Sequence, residues 1–401
     1  MGLEPVVGVD IGKTGHYAVC LDHQGTRLWG HPLGNRQAEI DELVGRAAAN
    51  SAAVVVDQPN GGAALLIQAC WDAGVTVGYL HGLAMARARD FYEGEAKTDP
   101  KDAFVIADVA RAHPGRIVWL EAVPDERARL ELLCGYDEDL RADINRIANR
   151  LRSLLAAHWP ELEQAIAKRL PGRALCQMLA SYPHPDALRR AGKTRLTRFL
   201  RTRRLHRPEL FVEQVLVAIG EQHTVVAGAQ AAGRLVADIA ADLDRLLGRR
   251  EELAKEIEKC FFAQPEAGIL TSLPGVGPRL GARILVEVGE ITRFATPSKL
   301  AAYAGLGPST RQSGTSINTC VSSRRGNHRL KNALFLAAFA SLRHPPSRAY
   351  YDRKRAQGRR HNEAILCLAR RRIDVLHAML TRGELYHWSP IPEPDLQVRA
   401  A

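Results

Sequence analysis

"VVGVDIGKTGHYAVCLD", residues 6–22, decides the fold. A short apolar run ends in Asp10, the tetrapeptide "GKTG" (12–15) turns the chain, and "HYAVCLD" runs back with two-residue alternation. That is the pattern of strand, tight turn, strand. A second turn, "HQGT" (23–26), leads into "RLWGHPL" (27–33) as a third strand, completing an antiparallel meander. Outward from there the pattern changes. A helix is predicted over 36–49, a buried strand in "AAVVVD" (52–57) and a helix over 61–73. "VTVGYL" (75–80) reads as a further strand, a helix opens at Asp99, and "RIVWL" (116–120) offers a last strand.

Three antiparallel strands followed by alternating helices and strands predict an α/β sheet of the ribonuclease H-like kind over residues 1–122. Residues 123–262 read as helix. Leu133, Tyr136, Leu140, Ile144, Ile147, Leu151 and Leu154 recur at helical spacing, as do Leu235, Ile239, Leu246, Leu253, Ile257 and Cys260. Two long amphipathic helices of this kind predict an antiparallel coiled coil, with Arg250 an intruder at one seam position. Between them lies an arginine-dense stretch over 168–207, readable equally as a solvated basic face or as phosphate-contacting surface. Residues 263–401 predict a mostly α domain. In it "SLPGVGPRLGARILVEVG" (272–289) has the look of a helix-hairpin-helix, whose Gly275 and Gly277 would let backbone N–H groups face a phosphate.

Composition narrows the class. The chain has 401 residues, 46% of them apolar, and a net charge of +11 concentrated after residue 140, which favours a polyanionic partner. Seven cysteines stand singly, without a CxxC pair, and read as reduced thiols of a cytoplasmic protein. The strand that begins almost at the first residue leaves no room for a signal peptide, and no apolar run is long enough for a membrane span.

Four carboxylates carry the chemistry. Asp10 and Asp57 each end an apolar strand, where burial is costly unless the charge is paired or metal-bound. Strand ends line the functional crevice of open α/β sheets. Asp99 and Asp102 stand at the mouth of the helix in "EAKTDPKDAFVIADVAR" (95–111). One reading makes Asp99 the N-cap, Pro100 the first helical residue and Asp102 part of a capping box. The other has all four carboxylates converge, and then cations must neutralise them. Mg²⁺ (or Mn²⁺) suits such oxygen ligands and is commonly shared with substrate phosphates.

With these residues in view, the sequence resembles the DEDD transposases, insertion-sequence recombinases related to the pilin-gene inverting recombinases. "VVGVDIGKTGHYAVCL" (6–21), "VVVDQP" (54–59) and "KTDPKDA" (97–103) resemble that family's N-terminal blocks. The run from "LPGVGPRLGARILVEVG" through "TRQSGTSINTC" to "RLKNALF" (273–335) resembles its C-terminal transposase domain. The resemblance implies a RuvC-like fold, metal ligation by Asp10, Asp57, Asp99 and Asp102, and a nucleophilic serine at Ser313 in "RQSGTS". Where the family usually has Glu in second place, this chain has Asp57, one methylene shorter. From the residues alone, Ser309, Ser316, Ser322 and Ser323 are equal candidates for a nucleophile, and the motif selects Ser313. The serine lies in a Ser/Thr/Gly-rich loop among Arg311, Arg324, Arg325, Arg329 and Lys331, cations able to stabilise charge on a scissile phosphate.

The resemblance further implies double-stranded donor and target DNA, a noncoding bridge RNA that selects them, and a homo-oligomer, dimer or tetramer, with the active-site parts on different subunits. It implies a cytoplasmic, nucleoid-associated location in a bacterium or archaeon. Arg150, Arg152 and the arginines of 189–207 would then contact the RNA backbone. Three other readings fit parts of the sequence. An actin-like sugar kinase shares the sheet and the "VVGVDIGKTG" loop, but its second phosphate loop and its adenosine loop are missing from this sequence. A metal-dependent nuclease or junction resolvase would make Ser313 irrelevant. A non-catalytic nucleic-acid-binding protein would leave the four aspartates as caps and turns.

Overall fold

Short strands, the central ones buried almost throughout, build one sheet in the first part of the chain. The computed structural model describes residues 5–92, 98–313, 317–322 and 326–388, with backbone alone for 308–313 and 317–322. The chain divides into two compact units, Met1–Pro124 and Asp125–Ala401.

In the first unit the strands are β1 (Val6–Ile11), β2 (Gly15–Leu21), β3 (Arg27–Gly34), β4 (Ala53–Val56), β5 (Val77–Leu80) and β6 (Ile117–Trp119). Their spatial order is β3-β2-β1-β4-β5-β6. The meander β1–β3 is antiparallel, β1, β4 and β5 run parallel, and β6 returns antiparallel to β5. This is the ribonuclease H-like arrangement the sequence predicts. The helices are α1 (Gln37–Ala49), α2 (Ala64–Asp72), α3 (Gly82–Arg89) and α4 (Asp99–Ala112). Val7, Val9, Ile11, Val54 and Val56 bury one face of the sheet together with residues of α1 and α2. Val6 and Val55 point the other way and pack with Val105 and Ile106 of α4.

Gly8 sets how closely α4 lies on β1. A Cβ there would fall 2.3 Å from the Ala103 carbonyl oxygen and 2.4 Å from the Ala107 amide nitrogen. Both obstacles are backbone, so α4 itself would have to lift. Gly8→Ala is expected to lower unfolding stability by about 3 kcal/mol, the upper part of the usual overpacking range. Urea titration followed by circular dichroism measures it, and a change under about 1 kcal/mol would mean α4 shifts freely.

Among the described residues, the second unit is helical apart from one hairpin. Its helices are α5 (Asp125–His158), α6 (Pro160–Ile166), α7 (Arg173–Ser181), α8 (Pro185–Thr202), α9 (Pro208–Glu221), α10 (Ala229–Phe262), α11 (Ala267–Ser272), α12 (Pro278–Val288), α13 (Pro297–Tyr303), α14 (His328–Ala340), α15 (Pro345–Ala356) and α16 (His361–Arg382). Strands β7 (Pro308–Ser313) and β8 (Ile317–Ser322) pair antiparallel between α13 and α14. The two longest helices, α5 and α10, pack antiparallel. Arg129 reaches Glu256 at 2.7 Å and Asp137 meets Arg250 at 2.8 Å.

The buried line of α5 differs from the predicted one. Leu130, Cys134, Asp137, Leu140, Ile144, Ala148, Leu151 and Leu155 are buried, whereas Leu133 and Leu154 only flank them and Tyr136 is 36% exposed. On α10, Leu235 stands 49% exposed while Val236 is buried. A charged residue at the inward position 137 disguises the true seam, and Arg250 is its partner across it. A single apolar core runs from Leu130 to Met379, so no break falls at 262, where the sequence suggested a domain boundary.

The arginine-dense stretch folds into α7 and α8, and much of it serves packing. Arg173 bridges Asp244 and Glu251, Arg169 stacks on Phe211 at 4.7 Å, and Arg203 on Phe199 at 3.4 Å. Lys193 pairs with Glu213 and Arg201 with Glu209. Arg198 and Arg204 remain exposed with no acid in ion-pairing distance among the described residues. Gly192, at φ 68°, breaks α8 in two.

Candidate active site

Asp10 and Asp57 sit side by side at the ends of the two central parallel strands. The β1–β4 register pairs Val9 with Val56, so the next residue on each strand is the carboxylate. Both are half-buried. Strand alternation puts Asp10 on the face of Val6 and Gly8, and Asp57, one residue past its strand, on the face of Val55. That is the face covered by α4. Asp57 Oδ1 accepts the Ile11 backbone N–H at 3.1 Å, and Gln58 Nε2 donates to the Ile11 carbonyl at 2.9 Å, so the end of β1 is clamped between consecutive side chains.

The first turn of α4 belongs to the same face. Gly8 contacts Ala103 and Ala107, and Asp102 is the residue before that contact. The helix starts differently from the sequence reading: Thr98 is the N-cap and Asp99 the first helical residue, with Pro100 next, and no side chain caps the end. Asp102 makes no capping box. It is 2% exposed, its Oδ2 accepts from Arg89 Nη2 of α3 at 2.8 Å, and its Oδ1 is buried without a hydrogen-bond partner. Asp99 is exposed at the helix mouth. Arg89 is a residue that sequence reasoning missed; its signal is a cation ten residues before an acidic helix start.

Among the described residues no three His, Cys, Asp or Glu side chains are gathered closely enough to cage a metal ion. The donor set still fits a divalent cation. The candidate ligands are all carboxylates, the hard oxygen donors Mg²⁺ takes, and Asp102 holds a buried oxygen without a hydrogen-bond partner among the described residues. Sequence reasoning also missed His16, buried on β2 opposite Ile11 with neither ring nitrogen hydrogen-bonded.

In the second unit Ser313 closes β7 opposite Ile317 of β8, the last residue before the hairpin connection, rather than lying in a free loop as the sequence suggested. Arg311 pairs with Thr319 on the same hairpin. Their side chains, and the residues Arg324 and Arg325, lie outside what the structure describes. Downstream, Asn327 caps α14 through its Oδ1 to the Leu330 N–H, and its Nδ2 donates to Glu287 and Tyr303. Arg329 and Lys331 occupy that first turn.

The "LPGVGP" turn links α11 to α12. Gly275, at φ +83°, is pressed against α14: a Cβ would lie 2.4 Å from the Ala337 carbonyl oxygen. Its freedom from a side chain permits this inward contact with α14. Gly277 caps α12 with open space around it. Arg372, buried on α16, donates to the Pro274 carbonyl; burial draws its pKa down to about 10, so it stays charged at neutral pH. Of the two arginines expected on α5, Arg150 is exposed, whereas Arg152 is paired with Glu163 at 2.8 Å.

Fold and site define the class first: a ribonuclease H-like α/β protein with carboxylates at the ends of its two central strands, joined to a basic helical unit. Residues 7–160 match a family described as "Transposase", and residues 267–352 match the "Transposase IS116/IS110/IS902 family". The chain is 42% identical over 383 residues, 95% of each chain, to the "Insertion element IS110 uncharacterized 43.6 kDa protein" of Streptomyces coelicolor. It is 31% identical over 139 residues to the pilin gene-inverting protein of Moraxella bovis, covering 33% of this chain and 43% of that one. A structure of Thermus thermophilus RuvC in complex with a Holliday junction substrate aligns with 29% of this chain and 99% of its own, at 19% identity and a TM-score of 0.22. The chain belongs to the IS116/IS110/IS902 transposase family, enzymes that cleave and transfer DNA strands. No helix among the described residues is long and apolar enough to cross a membrane.

Proposed function

We propose that this transposase moves its insertion element through a covalent phosphoserine intermediate at Ser313, with Asp10, Asp57, Asp99 and Asp102 holding Mg²⁺ (or Mn²⁺) beside the scissile phosphate. The observation that carries the metal half is the buried, unsatisfied Oδ1 of Asp102, on the face that Asp10 and Asp57 share. When bound, the divalent cation supplies Lewis-acid stabilisation of charge on the phosphate. The protein's own residues do the rest. The Ser313 Oγ–P bond forms as the P–O bond to the leaving strand breaks, and the hydroxyl proton passes to the leaving oxygen. The phosphodiester bond energy is thus kept for rejoining. Arg311, Arg324, Arg325, Arg329 and Lys331 would neutralise the developing charge.

A noncoding bridge RNA would select donor and target DNA, held by the exposed cations of the second unit, Arg150 among them. The enzyme would work as a dimer or tetramer, each site completed by Ser313 from another subunit. These readings rest on the family motif and on the charge of the second unit, which exceeds what its ion pairs consume.

The decisive experiment traps the protein–DNA adduct under denaturing conditions and maps the linked residue by mass spectrometry. The adduct is expected on Ser313, and Ser313→Ala is expected to abolish both adduct and cleavage while leaving nucleic-acid binding intact. Cleavage by the alanine variant would favour a metal-only nuclease of the junction-resolving kind. Full recombination on naked DNA without RNA would remove the guide from the proposal.

A further inference from the structure

We propose that the corner between α15 and α16, with Phe339 of α14, is a binding surface for an unpaired DNA strand. Most of it lies beyond residues 267–352, where the family match ends. Arg353, Lys354, Arg355, Arg359 and Arg371 crowd this corner without an acid in ion-pairing distance among the described residues. The nearby acids are already engaged: Asp352 binds Arg348 at 2.8 Å, Glu363 accepts the Arg360 N–H at 3.2 Å, and Asp374 pairs with Arg370 at 2.6 Å. Arg353, Lys354 and Arg371 even share one ring, lying 5.0, 5.7 and 5.0 Å from the centroid of Tyr350. Like charges held this close repel one another, and a polyanion relieves that cost.

An apolar platform adjoins the cations. Phe339 stands 51% exposed, with Leu336 on the same helix at 42%. Its ring meets exposed His361 edge-on at 6.1 Å, and His361 is fixed by a 2.7 Å hydrogen bond between its Nδ1 and the Tyr351 hydroxyl. Arg359 stands two residues before His361 in the chain, and its carbonyl accepts Arg355 Nη1 at 2.8 Å, which links the charged end of α15 to the start of α16 where the ring pair lies. Cations alone would suit duplex phosphates. A bare phenyl among them suits a base that has left its stack, because any base can lie on it. Strand transfer supplies such a strand, since a cut end must leave one duplex before it joins another.

The test measures binding by the full chain, without cleavage, so it is independent of Ser313 and of the metal. The probes are a fluorescent oligothymidylate of about twenty nucleotides, longer than one such site, the matching duplex, and an oligouridylate. Replacing Arg353, Lys354, Arg355 and Arg359 by Gln is expected to weaken oligothymidylate binding about tenfold or more and to lower its salt slope by about 3, at about 0.7 per lost phosphate contact. Phe339→Ala is expected to weaken oligothymidylate about fivefold or more while sparing the duplex. The charge-keeping variant, with Lys at the three arginine positions, retains binding and shows that the fold tolerates the changes. Unchanged oligothymidylate affinity in the Gln variant, equal loss on duplex and single strand in Phe339→Ala, or loss confined to oligouridylate would each overturn the assignment.

Discussion

Asp102→Asn is expected to cost about a thousandfold in DNA cleavage while the first unit stays folded. Removing one ligand charge beside a phosphate forfeits several kcal/mol of transition-state stabilisation. The structural loss is smaller. Asparagine keeps the volume and can still accept from Arg89, whose side chain is 33% exposed and can be solvated. Loss of an anion from the first helical turn costs about 0.3–1 kcal/mol. The melting temperature should therefore fall by only about 3–5 °C. Arg89→Gln provides the contrast: it removes the ion pair but leaves the carboxylate, so cleavage should largely survive. If the asparagine variant cleaves normally and merely melts earlier, Asp102 exists to hold Arg89, and the metal site loses its buried member.

The largest effect on stability is expected at Asp137. Its carboxylate is 7% exposed and receives Arg250 Nε at 2.8 Å, Arg279 Nη2 at 2.8 Å and Arg283 Nη2 at 3.2 Å. Arg283 also binds Glu138, which holds Arg141 in turn. This cluster ties α12 to both long helices. Asp137→Ala would leave three guanidinium groups facing one another around an apolar gap, costing about 3–5 kcal/mol, the range for breaking a buried pair. Arg279 is nearly half-exposed, so Arg250 and Arg283 bear most of the loss.

Burial alone would raise the Asp137 pKa, but the hydrogen bond from Arg250 and the charges of Arg250, Arg279 and Arg283 outweigh it and hold the carboxyl below its ordinary value. A lowered native pKa contributes stability in full above the unfolded value, near 4, and loses it as pH falls through the native value. Guanidinium titrations at neutral and acidic pH should converge for wild type and variant at the acid end. A neutral-pH difference under about 1 kcal/mol would show that the arginines find water instead.

Legibility in the sequence followed the physics of each element. The sheet was readable because period-two alternation and glycine turns are local signals, whereas the order β3-β2-β1-β4-β5-β6 depends on long-range pairing and is given by the structure. The α5 seam was harder. An aspartate at 137 and an arginine at 250 look like surface residues until the partner helix is in place, so apolar spacing alone chose Leu133 and Tyr136. Asp99 and Asp102 were ambiguous for a related reason: a capping box and a ligand pair share a spacing, and only burial separates them. The N-cap position went to Thr98, and Asp102 is buried with an oxygen that has no partner among the described residues, the feature on which its proposed ligand role rests. Gly275 shows the reverse: its positive φ was foreseeable, its neighbour on α14 was not. The arginine-dense stretch could not be apportioned beforehand, because which cations find acids or rings depends on how α7, α8 and α10 fold together.

The packing of Phe261 carries an evolutionary consequence. This last-turn side chain of α10 is fully buried, and a methyl added to Gly281 of α12 would lie 2.5 Å from its ring tip. A lineage could therefore not inherit the basic helices from one ancestor and the serine-bearing part from another by crossing over near residue 262. Such a chimera would mismatch ring against helix and strand the arginines around Asp137. Grafts between relatives should succeed only when everything after Pro124 travels together.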